Sequence, residues 1–193
     1  MPFMQKSHQI FCPGYGFFFG ERENLFLFPK KKGSRKKGKA VPHMLSVKMI
    51  EPGSREWYAL ADYAENCSWR AGKAFARALR TNDFYPKDRV FALLENGWRI
   101  AGYCALCRED YIPDCMYAPW CSYVFVDEDF RGQGNVGLLL TACIQEARIQ
   151  GYETAYVCTG EVGLYEKYGF RRMESRLNRD NILQSIYSRG TRY

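Results

Sequence analysis

The sequence predicts a single α/β domain behind a basic N-terminal extension, and three observations carry that prediction. A chain of 193 residues, 47% apolar and 25% charged, suits one domain with an ordinary core. Segments that alternate every second residue interleave with segments of helical period, the mark of mixed strands and helices. The net charge of +7 is confined to one end: residues 1–43 hold nine Lys/Arg and two Asp/Glu, while residues 44–193 hold nineteen of each sign.

Taken in order, "LSVKMIE" (45–51) alternates and predicts a first strand, broken by Pro52 and Gly53. Ser54 is placed to cap a helix whose inner face carries Trp57, Leu60, Ala61 and Ala64. A second helix turns Ala71, Phe75, Ala78 and Leu79 inward and ends near Asn82. "RVFALLENGWRIAGYCALC" is two apolar runs joined through Asn96-Gly97, a strong hairpin signal. "REDYIPDCMYAP" reads as a loop and "WCSYVFV" (120–126) as a strand. Val136, Leu139, Leu140, Cys143, Ile144 and Ala147 share one face of a helix that Gly151 stops. "TAYVC" (154–158) is a strand, "VGLYEKYG" a short helix, and "FRRME" and "ILQSIYS" a closing strand pair. No internal repeat is visible.

The tail owes its charge mostly to "KKKGSRKKGK" (30–39), a like-charged, glycine-punctuated run expected to stay solvated and disordered. It serves as a linker, as sequence upstream of a start at Met44, or as an arm for nucleic acid or an anionic membrane. Nucleic acid enters the reading through this tail alone. No run reaches the roughly 18 apolar residues of a membrane span. No A-x-A-like cleavage site follows the apolar "IFCPGYGFFFG", so no signal peptide is expected.

Cys104, Cys107, Cys115 and Cys121 form a loosely zinc-like C-x2-C-x7-C-x5-C pattern. Strand alternation sends Cys104 and Cys107 to opposite faces, however, so core thiols in a reducing cytoplasm are expected, and no metal. The only two histidines, His8 and His43, lie in the tail. That leaves no imidazole in the folded part for a Ser-His-Asp or Cys-His system, or for an H-E-x-x-H zinc site.

The chemistry concentrates in "VFVDEDFRGQGNVGLLL" (124–140), where Gly132, Gly134 and Gly137 spell G-x-G-x-x-G. A dinucleotide fold would put its first glycine directly after a strand and an acid at the end of the next strand. Here "DEDFR" intervenes, Glu153 precedes its strand, and a hairpin lies upstream. The dinucleotide reading fails on context. What the residues do fit is anion binding: glycines let backbone amides approach phosphate, the following helix offers its positive end, and Arg131 adds charge. A plain tight turn into a helix is the alternative. It accounts for one glycine better than for three.

In these residues the chain resembles the GNAT superfamily of N-acetyltransferases. The strand, acidic turn, R-G-x-G and x-x-L-L helix of that family stand here as "VFVDEDFRGQGNVGLLL", and its L-Y-x-K-x-G-F motif stands as "LYEKYGF" (164–170). The element order agrees from about residue 45 to 190. Asn135 and Val136 depart from the aliphatic and small residues usual there. Asn tolerates unusual backbone angles, and Gly137 offers a small residue in exchange.

The resemblance implies a mixed, mostly antiparallel sheet of six to seven strands, helices on both faces, and one splayed strand pair. It implies acetyl-coenzyme A as co-substrate, with the amides of Arg131, Gly132, Gln133, Gly134, Asn135, Val136 and Gly137 around its pyrophosphate. The edge at Val124 and Val126 would pair with the pantetheine arm, and the Val124 amide would face the thioester oxygen. Tyr165 occupies the general-acid position; lining a cavity is its other reading. For the base, Glu161 is the best carboxylate; a first-turn charge favoured by the helix dipole is its other, equal reading, and a water relay is open too.

The implied activity is transfer of an acetyl group to a primary amine by direct attack in a ternary complex in the cytoplasm. The acceptor is a small molecule or peptide, and a homodimer stays open. A catalytically silent acyl-coenzyme A sensor is the alternative. Glu109, Asp110 and Asp114 suit a cationic acceptor or make an ordinary solvated loop, and Tyr111, Tyr117 and Trp120 add aromatic surface.

Overall fold

The computed structural model describes residues 44–192. The basic segment 1–43 and its predicted disorder lie outside them. Along the chain run β1 (Leu45–Ile50), α1 (Arg55–Asn66), α2 (Gly72–Thr81), β2 (Arg89–Glu95), β3 (Arg99–Cys107) and β4 (Trp120–Val126). Then come α3 (Val136–Ile149), β5 (Thr154–Thr159), β6 (Arg171–Leu177) and β7 (Leu183–Gly190). The seven strands form one sheet in the order β1-β2-β3-β4-β5-β7-β6, antiparallel throughout except at β4–β5.

Local chemistry sets the element ends. The Ser54 hydroxyl accepts from the Trp57 amide and starts α1. Asn82, at φ 51°, closes α2 with its amide on the carbonyls of Ala78 and Leu79. Asn96 (φ 53°) and Gly97 (φ 81°) make the left-handed turn the β2–β3 hairpin needs. The predicted helix in "VGLYEKYG" is instead a single 3-10 turn, Tyr165–Tyr168, ended by Gly169 at φ 80°.

Alternation along the strands separates two cores. One face packs on α3, through residues such as Cys104, Cys121, Leu139, Leu140 and Val157. The other packs on α1 and α2, through Trp57, Phe75, Tyr103, Ala105, Cys107 and Phe125. Cys104 and Cys107 do fall in different cores. Phe75 stacks on Tyr103 at 4.7 Å, an aromatic pairing worth about 1 kcal/mol beyond burial itself. No helix among the described residues is long and apolar enough to cross a membrane.

Candidate active site

The sheet opens between β4 and β5. These parallel neighbours share a single register pair, Trp120 with Tyr156, where β5–β7 has six. The Tyr156 amide bonds the Pro119 carbonyl, and past Trp120 the two strands part. A bulge on β4 accompanies the parting: Tyr103 faces Phe125 and Ala105 faces Ser122, so Tyr123 and Val124 stand opposite Cys104 alone. Tyr123 takes φ 53°, a left-handed angle uncommon for a bulky side chain.

The open edge of β4 is the one carrying Val124 and Val126. Because the Asp127 amide bonds Ala101 on β3, alternation turns the peptide groups of Val126 away from β3, towards the gap. The Arg131 Nε donates to the Val126 carbonyl at 2.8 Å. The same guanidinium lies 3.1 Å from Glu128 and above the Phe125 ring. Arg131 is therefore held back along the strand end, where the sequence suggested a charge at the lip of the loop.

The carboxylates of the acidic turn before the glycines are held by their neighbours. The Tyr63 hydroxyl donates to Asp127 at 2.6 Å, Ser68 donates to Glu128, and Arg99 bridges Asp129 at 2.7 Å. These bonds tie α1 and β3 to the loop and keep three carboxylates engaged beside a region of amides.

Gly132 and Gly134 sit at φ 75° and 77°, angles that explain both glycines. A side-chain carbon added at Gly132 would meet nothing within 4 Å. The amides of Arg131 and Gly137 are already committed, to the Glu128 and Gly134 carbonyls. Those of residues 132–136 bond no acceptor among the described residues and stand at the N-terminal end of the 14-residue α3. Such a run fits a diphosphate.

Gly137 has another reason to be small. A carbon added there would come within 2.6 Å of the Tyr168 ring, so this glycine admits an aromatic side chain from the second motif. Asn135 has helical backbone, φ −62°, and uses no unusual angle. Its buried amide donates to the Phe130 carbonyl at 2.8 Å and staples the loop shut from beneath.

On the α3 face, Tyr165 is buried against Phe170 and Tyr187. Burial is the main cause that pushes its phenol above the ordinary value, with the charges of nearby thiols and Asp110 adding to it. Its hydroxyl bonds no described residue. Glu161 is exposed just after β5, with its amide bonded to the Thr159 hydroxyl.

The opposite face of the gap holds groups that sequence reasoning missed or left undecided. Ser122 pairs with Ala105 and so faces α1 and α2; it is 6% exposed and donates to Asp110 Oδ2 at 2.5 Å. Asp110 was one of three loop acids with no assigned direction. It turns inward, half-buried, and Oδ1 accepts from the Tyr111 amide. Glu109 instead accepts from the exposed Tyr85 at the surface. The signal for Ser122 was present as the one small hydroxyl residue in an otherwise apolar and aromatic strand.

The loop carrying Asp110 meets the β6–β7 turn: the Tyr111 hydroxyl donates to Asp180, and the Arg179 amide to the Tyr111 carbonyl. A separate cavity of about 350 Å³ opens at the far end of β3, lined by Tyr85, Asp88, Arg108 and Gln150. Both oxygens of Asp88 are taken there, by the amides of Tyr85 and Arg108.

Residues 86–172 match the family model described as the acetyltransferase (GNAT) domain. No curated protein matches the chain. Among solved structures, a GNAT family acetyltransferase from Elizabethkingia anophelis with acetyl-CoA bound is 21% identical, with TM-score 0.54 over 76% of this chain and 97% of that one. A chimera of the spermidine N-acetyltransferase SpeG from Vibrio cholerae and hSSAT is 12% identical, with TM-score 0.56 over 76% and 95%. An acetyltransferase from Streptococcus agalactiae is 18% identical, with TM-score 0.52 over 76% and 98%. At these identities the likeness is one of fold. The parted strands and the glycine loop agree with that match: residues 86–172 are similar to an acetyltransferase (GNAT) domain, within a fold like that of the GNAT structures above.

Proposed function

We propose that this chain transfers an acetyl group from acetyl-coenzyme A to a primary amine of a small molecule or peptide, both substrates being bound at once. The observation that carries the reading is the parting of β4 from β5 beside a run of amides bonded to no described residue. That a structural neighbour holds acetyl-CoA supports the choice of donor.

Acetyl-coenzyme A supplies an acyl group already activated as a thioester. The amides of Gly132, Gln133, Gly134, Asn135 and Val136 would hold its diphosphate, with Arg131 and Gly137 shaping the loop. The open edge at Val124 and Val126 would take the pantetheine arm as an added strand. The Val124 amide would stabilise the oxyanion. Tyr165 would give a proton to the leaving thiolate, its raised pKa keeping the phenol protonated across the working range. Glu161 stands at the rim, in reach of solvent.

The seven described cysteines are free thiols, which supports a reducing, cytoplasmic setting. Residues 1–43 would lie outside the catalytic domain as a basic extension.

Thiol release from acetyl-coenzyme A, followed with a panel of primary amines and the full chain, tests the reading. Amine-dependent release with a matching acetylated product is the expected result. Tight binding of acetyl-coenzyme A with no release for any amine would make the chain a silent binding module.

A further inference from the structure

The pair of half-buried Asp110 and buried Ser122 has no part in the chemistry described so far, yet Ser122 lies just past the point where β4 and β5 part, on the sheet side away from Tyr165. Tyr165 belongs to the core under α3, whereas Ser122 pairs with Ala105 in the core under α1 and α2. A donor for the leaving group on one face leaves the other face for the attacking amine. On that face the pair sits beside the β4 bulge at Tyr123, and the charge of Asp110 reaches the β5 residue Cys158.

Asp110 joins no ion pair among the described residues. A half-buried carboxylate without a cation is costly, because its two bonds to Ser122 and Tyr111 replace hydration only in part. An incoming ammonium is the missing charge. Burial also raises the Asp110 pKa, making it a stronger base than a fully solvated carboxylate. The other titratable groups near the gap are poor acceptors: burial pushes the Cys158 thiol up to about 12 and the Tyr123 phenol up to about 12, so both stay protonated. Charged groups that act on Tyr123 and Tyr111 beside the pair are Arg77 and Asp83 from α2 and its end, and Arg179 and Asp180 from the β6–β7 turn.

We propose that Asp110, acting through the Ser122 hydroxyl, binds the acceptor as an ammonium ion and takes its proton, so that the site selects cationic amines. The inference rests on the acetyl-transfer reading above. Ser122 is suited to the relay because its O–H already points to Asp110 Oδ2, leaving its lone pairs to accept from the amine. The ammonium gives up two protons in all as the C–N bond forms and the C–S bond breaks. One passes through Ser122 and Asp110 to solvent. The other restores the proton that Tyr165 gives to sulfur, so charge and atoms balance.

The test uses the full chain, acetyl-coenzyme A, and spermidine, lysine and an aminoglycoside as amine probes. Wild type, Asp110→Asn and Ser122→Ala are compared by calorimetric titration with acetyl-coenzyme A and by thiol release between pH 6 and 9. Both variants are expected to keep acetyl-coenzyme A affinity within about threefold and to lose roughly 10²–10³-fold in kcat/KM for the amine at pH 7. The loss should shrink as pH rises, because an amine with pKa near 10.4 then sheds its own proton. A loss that is constant with pH, or no loss in either variant, overturns the inference while wild-type turnover leaves the acetyl-transfer reading in place. Acetyl-coenzyme A binding lost in both variants shows a structural pair and overturns it too. Wild type inactive with every probe removes the underlying reading, and this one with it.

Discussion

Gly134→Glu is expected to weaken acetyl-coenzyme A binding by at least about 100-fold, a change of roughly 2.7 kcal/mol. Two effects add. The glycine sits at φ 77°, where a side chain is strained by roughly 1–2 kcal/mol. A carboxylate within about 4 Å of a diphosphate then costs roughly 4 kcal/mol at the effective dielectric of a protein surface. Gly134→Ala shares the first effect and lacks the second, so it should lose no more than about 5- to 30-fold. Calorimetric titration of both variants separates them. Equal losses would show that backbone shape alone governs the loop.

Tyr165→Phe should lower turnover roughly 10²- to 10⁴-fold while leaving acetyl-coenzyme A affinity within error, since a positioned acid contributes about that much. Stability should change by less than about 1 kcal/mol, because the hydroxyl bonds no described residue and its removal strands no partner. Sign matters for the pH profile. Burial raises the Tyr165 pKa, so the acid form persists to higher pH than in a free phenol. Wild-type turnover should therefore show no decline from this group below pH 10. Initial rates of thiol release on both proteins check the effect, and an unchanged kcat in Tyr165→Phe would take the tyrosine out of the mechanism.

Most of the elements were legible because their signals are local. Ser54, Asn82 and the Asn96-Gly97 turn act on their own neighbours, and each stands where its chemistry predicts. The splayed strand pair came from family resemblance. Nothing in "WCSYVFV" announces a bulge at Tyr123, because a bulge is a mismatch with a partner strand.

The site was less legible for the same reason. Gly137 reads as a phosphate glycine until Tyr168, 31 residues on, is seen packed against it. Arg131 reads as a free charge until Glu128 and the Val126 carbonyl are found holding it. Asp110 looks like its solvated neighbours in "REDYIPD", and only the return of the chain through Ser122 shows which way it turns.

The central claim is that the loop grips a diphosphate, and it is tested most directly by titrating the full chain with acetyl-coenzyme A and with S-acetylpantetheine, which carries the same thioester and no diphosphate. The account predicts micromolar binding of the first and at least about 100-fold weaker binding of the second. Equal affinity for the two, or heat from neither, would contradict it.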